Sequence, residues 1–472
     1  MTRTHIWWIR RDIRLHDNQA LDSAIQGADH MVPLFIIEPD LMDSAAPKRL
    51  DFLLGALADL DKQLKTLDSR LIIRQGPAQT ALPALAAELG GAAIFAHEDF
   101  SPYARQRDQE ISEQADLTLT PGVVLQHPEA NLKADGDPYI VYTPFKNKWY
   151  EQPLPTPADC IPTPDALPPL PADLESIDLP ASKPVKGFPS TSAAAQQQLQ
   201  GFIAEKIHRY RSQRNQLDLE GTSRLSPYLR FGLISIREAV AQTSMAMLKT
   251  KSNEARGEMR TWLDELVWRE FYTAILYHFP NVLNGPFRED YEHIPWRDAP
   301  DDLAAWQQGL TGYPVVDACM RQLSATGWMH NRGRMIVASF LTKDLLINWQ
   351  AGEAWFMANL VDGDPAANNG GWQWTAGTGT DAAPYFRIFN PIIQSQKFDP
   401  DAAFIARWVP ELADLPAQHR HQPWDMPETE AQKYNFKIGR DYPAPIVDHS
   451  FARERTLAAY KSARERTASD GE

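Results

Sequence analysis

Short apolar segments alternate with longer amphipathic ones over the first 130 residues, and this rhythm constrains the fold more than any other feature. Four apolar segments predict buried strands, at residues 5–10, 32–37, 70–74 and 92–97. Helical spacing of apolar residues lies between them, for example in Lys48–Leu67 and Thr80–Leu89. Strands that alternate with helices predict an α/β doubly wound parallel sheet. The glycine pattern of a dinucleotide-binding turn, G-x-G-x-x-G, does not follow the first strand.

The remainder of the chain divides into a proline-rich stretch and a helical half. Residues 153–184 hold ten of the 37 prolines, which disfavour helices and central strands. From about residue 196, apolar residues recur at helical spacing and no convincing strand appears. The sequence therefore predicts an α/β domain over 1–130, a Pro-rich interdomain linker over 131–195, and an all-α C-terminal domain over 196–472.

Cysteine content and charge narrow the class of protein. Cys160 and Cys319 are too few for a disulfide framework and fit a reducing, cytoplasmic setting. No apolar run reaches the roughly 18 residues of a membrane helix. The net charge of −14 argues against a protein that coats nucleic acid with its whole surface. Seven Lys and Arg nevertheless lie between Lys206 and Arg237, a run that is either a solvated helix surface or a local basic face.

One helical stretch carries residues suited to a nucleobase. Glu265, Trp268, Arg269 and Tyr272 have the spacing i, i+3, i+4 and i+7, which places them on one face of a helix. Tryptophan can stack on a base, glutamate can hydrogen-bond its edge, and arginine can contact phosphate. A surface Glu–Arg pair beside core aromatics has the same pattern, so both interpretations stay open at this point.

Two further segments are candidates for ligand contacts. The sequence GTSRLSP at 221–227 places small hydroxyl residues and Arg224 before a predicted helix, a combination that can hold phosphate but that also occurs in ordinary helix caps. Asp362 and Asp364 lie two residues apart. Asp364 precedes Pro365, as a helix cap does, and no histidine or third carboxylate is nearby. We therefore expect a cap with polar ligand contacts and no metal.

Longer motifs carry a resemblance. The segments TGWMHNRGRMIVASFLTKDLL (326–346), NNGGWQWTAGTGTDAAPYFRIFNP (368–391), GTSRLSPYL and WLDELVWREFY resemble the photolyase/cryptochrome family, in particular the class I cyclobutane pyrimidine dimer photolyases. The similarity spans essentially the whole chain, in the same order. It implies an all-α domain that binds FAD, and an enzyme (a deoxyribodipyrimidine photo-lyase) in which light drives an electron from reduced FAD to a flipped-out pyrimidine dimer in DNA.

The resemblance also assigns residues to the cofactor. Asn368 corresponds to the residue that faces flavin N5, where an amide oxygen can accept a hydrogen bond from N5–H. The residues that correspond to the family's FAD contacts are Tyr210, Thr222, Ser223, Arg224, Leu225, Ser226, Arg334, Asp362, Gly363, Asp364 and Asn368.

Three tryptophans correspond to the family's electron chain from the protein surface to the flavin. They are Trp372, Trp349 and Trp296. Trp306 is close to Trp296 in sequence, but it lies in AAWQQG, whereas the family position follows a proline, as Trp296 does in HIPW. We therefore expect no relay role for Trp306. Core packing is the ordinary alternative for any one of the three, and the agreement of all three favours the relay.

The DNA side of the resemblance specifies the lesion. Glu265 corresponds to the residue that stabilises the transient lesion anion. Asn331 stands where (6-4) enzymes carry a second histidine, and Met335 stands where the single-strand-preferring DASH group usually has glutamine. The residues that correspond to the lesion pocket are Glu265, Trp268, Arg269, Asn331, Arg332, Met335 and Trp374.

An antenna pigment and two competing functions complete the expectations. The segment HEDFSPYARQRD has Tyr103 and Ala104 where a folate antenna would contact an Asn-Glu pair, so an 8-hydroxy-deazaflavin or a second flavin is expected instead. The main alternative is a blue-light signalling cryptochrome, which the lesion-pocket residues disfavour. A flavin oxidoreductase with a diffusible substrate is the more distant one. We expect a monomer whose partner is damaged DNA.

Overall fold

The computed structural model describes the backbone of residues 2–470 and the side chains of residues 2–466. The described chain divides into two compact units. The first contains the chain up to Arg211, together with Thr222–Pro280 and Val361–Ala366. The second contains Ser212–Gly221, Asn281–Leu360 and the chain from Ala367 onward. The predicted boundaries at residues 130 and 195 stay a prediction, because this division follows three-dimensional contacts and not the order of the chain.

A five-stranded parallel sheet organises the first unit. Its strands are β1 (Thr4–Trp8), β2 (His30–Ile37), β3 (Ile72–Gln75), β4 (Ala93–His97) and β5 (Leu117–Thr120). The order across the sheet is β3-β2-β1-β4-β5, and every neighbouring pair is parallel. The chain therefore reverses direction across the sheet between β1 and β4, the switch point at which open α/β sheets bind ligands.

Helices cover this sheet and extend the unit. Several begin with a side chain that accepts a backbone N–H: Asn18 caps the first, Ser101 the fifth, and Ser252 the eleventh. The helices up to the end of this part of the chain are α1 (Gln19–Ile25), α2 (Pro39–Asp43), α3 (Pro47–Lys65), α4 (Ala78–Glu88), α5 (Pro102–Ser112), α6 (Tyr142–Trp149), α7 (Ser192–Gly201), α8 (Tyr210–Gln213), α9 (Ser226–Phe231), α10 (Ile236–Lys249) and α11 (Asn253–His278).

The rest of the described chain is helical. A rare π-helical turn at Phe340–Asp344 follows α14, in a segment that the apolar pattern predicts as continuous helix. The remaining helices are α12 (Pro300–Gln308), α13 (Pro314–Thr326), α14 (Asn331–Ser339), α15 (Trp349–Asn359), α16 (Pro365–Ala376), α17 (Pro391–Phe398), α18 (Ala403–Trp408), α19 (Ala417–His421), α20 (Glu428–Lys433) and α21 (His449–Asp470).

Each unit has a large hydrophobic core. One lies between the sheet and its helices and includes Ile6, Val32 and Ile94 from three neighbouring strands. The larger one, in the second unit, is built on α13, α14 and α18 and contains several tryptophans. None of the helices in the described part of the chain combines the length and apolarity that a membrane span requires.

The structure confirms the fold class, α/β with a parallel sheet followed by helices, and adds two features that the pattern did not predict. The four predicted strands all form, within two residues of their predicted bounds. The fifth strand, Leu117–Thr120, was missed because its short LTLT sequence has two exposed residues and no apolar run. Helix α6 forms inside the stretch that was predicted as a linker, where it buries Tyr142, Phe145 and Trp149.

Candidate active site

The lesion-contacting face predicted on α11 is built around an aromatic stack. The rings of Trp268 and Tyr142 lie parallel, 3.6 Å apart between centroids. The Tyr142 hydroxyl donates to the backbone carbonyl of Asp264 at 2.7 Å, which holds the tyrosine in place. Tyr272 lies 5.5 Å from Trp268 on the same face, and Glu265 is partly exposed. Trp268 and Tyr272 thus lie side by side on α11, and the stack on Tyr142 fixes the plane of the indole.

Arg269 differs from its neighbours on this face because its guanidinium is turned into the protein. Nη1 donates to the carbonyl of Val123 at 2.7 Å. Burial, followed by the charge of Arg11, lowers the pKa of Arg269. The contact with phosphate thus stays a prediction, whereas the contact with the backbone of residue 123 is what the structure shows.

The predicted phosphate segment adopts a strained turn. Arg224 has φ of 52°, a left-handed conformation that non-glycine residues seldom adopt outside functional or tightly held turns. Its guanidinium lies 4.8 Å above the ring of Phe188. Thr222 and Ser223 are partly exposed, whereas the side chain of Leu225 is buried in the core. Leu225 can therefore contact a ligand only through its backbone, and the hydroxyls and Arg224 carry the polar character of this turn.

An ion-pair network surrounds Asp364 in the same unit. Arg11 Nη2 lies 2.6 Å from Asp364 Oδ2, and Arg230 donates to the carbonyl of Gly363 at 2.8 Å. Asp364 Oδ1 accepts from the backbone N–H of Ala366, so the predicted cap of α16 is present. Burial and the adjacent charge of Arg11 lower the pKa of Arg230 to about 9. Two arginines thus contact the turn between Val361 and Ala366.

Two further residues of the predicted cofactor set, Asp362 and Tyr210, are buried in the first unit. Burial lowers the pKa of Arg49, and the charge of Asp362 opposes this shift. Tyr210 is buried at the start of α8, where its ring meets Phe202 edge-on. In the part of the chain that the structure describes, no group of three or more His, Cys, Asp or Glu side chains is arranged to hold a metal ion.

In the second unit, a hydrogen-bond network orients Asn368. Its Nδ2 donates to the backbone carbonyl of Glu353 at 3.0 Å, so the amide oxygen is the end directed away from α15. Asn369 donates to the Glu353 carboxylate at 3.1 Å and to the carbonyl of Val282 at 3.0 Å. Gln373 donates to Asn369 Oδ1 at 3.1 Å. The orientation of Asn368 suits a flavin, because an amide oxygen can accept the N5–H of a reduced ring.

The three predicted relay tryptophans belong to one apolar cluster. Trp349 and Trp372 are buried in the large core of the second unit, and the partly exposed Trp296 packs against it. Trp306 belongs to the same core and is fully buried. Its ring meets Trp372 edge to face. Sequence position therefore separates Trp306 from the relay set more clearly than location does.

Helix α14 presents the predicted lesion residues of the second unit. Asn331, the first residue of the helix, is exposed, and Met335 one turn later is partly exposed. Arg332 donates from Nη2 to Asn215 Oδ1 at 2.8 Å and lies over the ring of Phe398. Arg334 donates to the carbonyl of Met329 at 2.9 Å. Trp374, on α16, is partly exposed.

A second polar cluster lies at the carboxyl edge of the sheet. The guanidinium groups of Arg10 and Arg107 lie 4.5 and 4.7 Å from the ring of Trp8, at the end of β1. The hydroxyl of Tyr103 donates to Glu38, at the end of β2, at 2.5 Å. Burial and this carboxylate raise the pKa of Tyr103 to about 12. This edge thus has aromatic, cationic and acidic groups at the place where the topology predicts a ligand.

Three residues that make these contacts were not predicted from the sequence. Tyr142 was missed because it lies in the predicted linker, and Glu353 was missed because a single acid on an apolar helix gives no signal. Arg11 could have been found, since it follows β1 at the switch point of the sheet.

Comparison with known proteins gives the family. A family model described as DNA photolyase matches residues 5–165, and one described as the FAD binding domain of DNA photolyase matches residues 262–462. A deoxyribodipyrimidine photo-lyase from Synechococcus is 43% identical over 96% of both chains, and one from Escherichia coli is 39% identical over 98% of this chain and 99% of its own. The chain belongs to the DNA photolyase family. It is an FAD-dependent photo-lyase of DNA repair, as the resemblance predicted.

Solved structures agree with the photolyase fold. A class III photolyase from Agrobacterium tumefaciens matches with a TM-score of 0.89 at 35% identity, over 98% of both chains. A Synechocystis cryptochrome matches with a TM-score of 0.88 at 28% identity, over 97% of this chain and 99% of its own. An archaeal photolyase from Sulfolobus tokodaii, described as holding two FAD molecules, matches with a TM-score of 0.80 at 29% identity, over 97% of this chain and all of its own.

Proposed function

We propose that this photolyase repairs cyclobutane pyrimidine dimers, with Trp268 as the stacking platform for the flipped lesion. The observation that carries the proposal is the stack of Trp268 on Tyr142, since Tyr142 covers one face of the indole and holds its plane. A pyrimidine pair would stack on the opposite face, a contact that suits base flippers. Glu265 would hydrogen-bond its base edge, and the family resemblance assigns a further lesion contact to Trp374.

The cofactor assignment combines the FAD-binding domain with residues that fit the group. The amide orientation of Asn368 suits flavin N5, and the proposed phosphate contacts are the hydroxyls of Thr222, Ser223 and Ser226 with Arg224. Helix α9 has only six residues, so its dipole adds little there. Bound reduced FAD supplies the light-driven electron that opens the dimer, and the electron returns to it. The protein's residues orient the lesion and the flavin.

DNA docking and the antenna are separate parts of the proposal. Arg332 and Asn331 would contact the strand beside the lesion, and the protein would act as a cytoplasmic monomer. The antenna would bind at the carboxyl edge of the sheet, beside Trp8, Arg10 and Tyr103. A deazaflavin or flavin is proposed because Tyr103 and Ala104 replace the pair that a folate needs. The Sulfolobus tokodaii photolyase with two FAD molecules supports a flavin as one of the two choices.

The substrate experiment tests this function directly. Purified protein, reduced and illuminated, is incubated with duplex DNA that contains either one thymine dimer or one (6-4) lesion. We expect restoration of the dimer-containing strand and no change in the (6-4) strand, because Asn331 replaces the second histidine of (6-4) enzymes. Repair of the (6-4) lesion alone would refute the assignment of Asn331 and Met335.

A further inference from the structure

Glu353 contacts both members of the Asn368–Asn369 pair. Its backbone carbonyl accepts from Asn368 at 3.0 Å, and its carboxylate accepts from Asn369 at 3.1 Å. The first bond determines which end of the Asn368 amide is directed away from α15. One residue on α15 therefore holds two consecutive asparagines of α16, and a change in its carboxyl group acts next to the amide assigned to flavin N5.

The asparagine on the carboxylate side is held firmly. Asn369 and Gln373 both donate to the carbonyl of Val282, at 3.0 and 2.9 Å, and Gln373 also donates to Asn369 Oδ1. The Gln373 oxygen accepts from the N–H of Phe287 at 2.8 Å. Rotation of Asn369 away from Glu353 would break bonds at several points. These bonds therefore hold in place the Asn369 amide that donates to the Glu353 carboxylate.

Glu353 is chemically isolated among its neighbours. Residues 281–287 and 367–376, which hydrogen-bond to α15, and α15 itself contain no other titratable side chain. The π-helical turn also packs against α15, but its Lys343 donates to the carbonyl of Ala376 and its Asp344 pairs with His449. Burial raises the pKa of Glu353 to about 7, and the hydrogen bond from Asn369 opposes this shift.

We propose that Glu353 is a positioning residue that couples reduction of the bound flavin to uptake of one proton at its own carboxyl group. The inference rests on the proposed placement of Asn368 against N5. Added electrons make the flavin more negative, and a nearby negative charge favours the neutral acid over the carboxylate. The electrons come from an external reductant, and water supplies two protons, one for the flavin N5–H and one for the O–H bond formed on Glu353. Oxidation reverses both transfers.

A redox titration at several pH values tests the coupling. The FAD-loaded wild type and Glu353→Gln are titrated spectroscopically between about pH 5.5 and pH 8.5, a window centred on the pKa. Around neutral pH, the midpoint potential of the wild type should fall more steeply with rising pH than that of Glu353→Gln, because Glu353 takes up a proton when the flavin is reduced. Glutamine keeps an oxygen that can accept from Asn369 but cannot titrate, so the extra dependence should vanish. The exposed Glu428→Gln serves as the matched control and should behave like the wild type.

A second measurement covers the case in which Glu353→Gln does not retain FAD. Infrared difference spectra of the wild type near pH 7 should show a protonated-carboxyl C=O band that grows when the flavin is reduced. If the wild type repairs dimers but shows neither this band nor the steeper pH dependence of the midpoint potential, the role of Glu353 is overturned and the proposed function is not. Parallel curves of midpoint potential against pH for the wild type and Glu353→Gln would overturn that role in the same way. A wild type that binds FAD but repairs no dimer refutes the proposed function, and the potential and the infrared band then decide the coupling on their own. A wild type that does not bind FAD refutes both the proposed function and the coupling.

Discussion

The indole rings of Trp306 and Trp372 meet edge to face, with their centroids 6.1 Å apart. Trp306 is fully buried and its Nε1 donates to the carbonyl of Val337 at 3.0 Å. Contact alone therefore does not distinguish relay tryptophans from core ones. Burial separates Trp306 only from Trp296, the proposed surface end of the relay, which is partly exposed, since Trp349 and Trp372 are also buried.

The first prediction concerns this relay. Trp372→Phe should nearly abolish light-driven reduction of oxidised FAD, because phenylalanine keeps a ring in the core but is far harder to oxidise. Repair by chemically reduced enzyme should persist. Trp306→Phe should leave photoreduction unchanged and cost stability through the lost bond to Val337, about 1 kcal/mol. Transient absorption and thermal unfolding measure the two effects, and equal losses of photoreduction from Trp306→Phe and Trp296→Phe would show that the surface end is misplaced.

The second prediction uses a glycine that packs against the relay. Gly352 lies on α15, and a Cβ at this position would overlap the outer ring of Trp372. Gly352→Ala should therefore displace the indole and slow photoreduction, in addition to destabilising the core. Gly371→Ala on α16 is the matched control, since a Cβ there meets nothing within 4 Å and alanine favours a helix by about 1 kcal/mol. A Gly352→Ala protein with wild-type photoreduction would mean that the position of Trp372 is not critical.

The third prediction concerns lesion binding. Trp268→Ala should raise the Kd for thymine-dimer DNA, with a loss of roughly 1–3 kcal/mol of binding free energy, the usual contribution of a base-stacking aromatic. Affinity should also fall steeply with salt, despite the net charge of −14, because arginine contacts to phosphate displace counterions. Trp408→Ala truncates another partly exposed tryptophan outside the lesion set and should leave the Kd unchanged. Equal losses from both variants would remove the stacking role of Trp268.

The fourth prediction concerns stability at low pH. His97, at the end of β4, is buried without a hydrogen-bond partner for either ring nitrogen among the described atoms, and burial lowers its pKa to about 4. The unfolded histidine binds its proton at the usual value of about 6.5, so the folded protein loses stability as pH falls from there toward 4, by about 3 kcal/mol in total. His97→Phe should flatten this part of the stability curve in denaturant titrations.

The exposed His208 provides the control for His97. His208→Phe should leave the dependence of unfolding free energy on pH as it is in the wild type. Other buried histidines contribute to the acid limb in every variant, so the test is the difference between the curves. Superimposable wild-type and His97→Phe slopes between about pH 6.5 and pH 4 would show that His97 is not held neutral.

The fifth prediction identifies the antenna by what the protein releases. Denatured protein should yield FAD and a deazaflavin or a second flavin, and no folate, because Tyr103 donates its hydroxyl to Glu38 and Ala104 is buried. Chromatography with absorption spectra distinguishes these pigments. Stoichiometric folate in the released fraction would overturn the argument from Tyr103 and Ala104.

The sequence by itself determined what depends on local order. Apolar runs in β1 to β4 and the helical spacing along α11 are properties of neighbouring residues, and the backbone has few ways to bury them. The cap of Asp364 on α16 is also local, since a carboxylate before Pro365 can reach the first helical N–H groups. The long motifs around 326–346 and 368–391 likewise indicated the family before any contact was known.

Only the tertiary structure decided which distant residues complete the site. Tyr142 meets Trp268 across 126 positions of sequence, Arg11 pairs with Asp364 across 353, and Glu353 reaches Asn369 from another helix. Such contacts follow from how whole helices and the sheet pack, and no local pattern encodes them. Burial is also a property of the packed chain. The raised pKa of Glu353, about 7, and the inward orientation of the Arg269 side chain therefore depend on the surrounding elements.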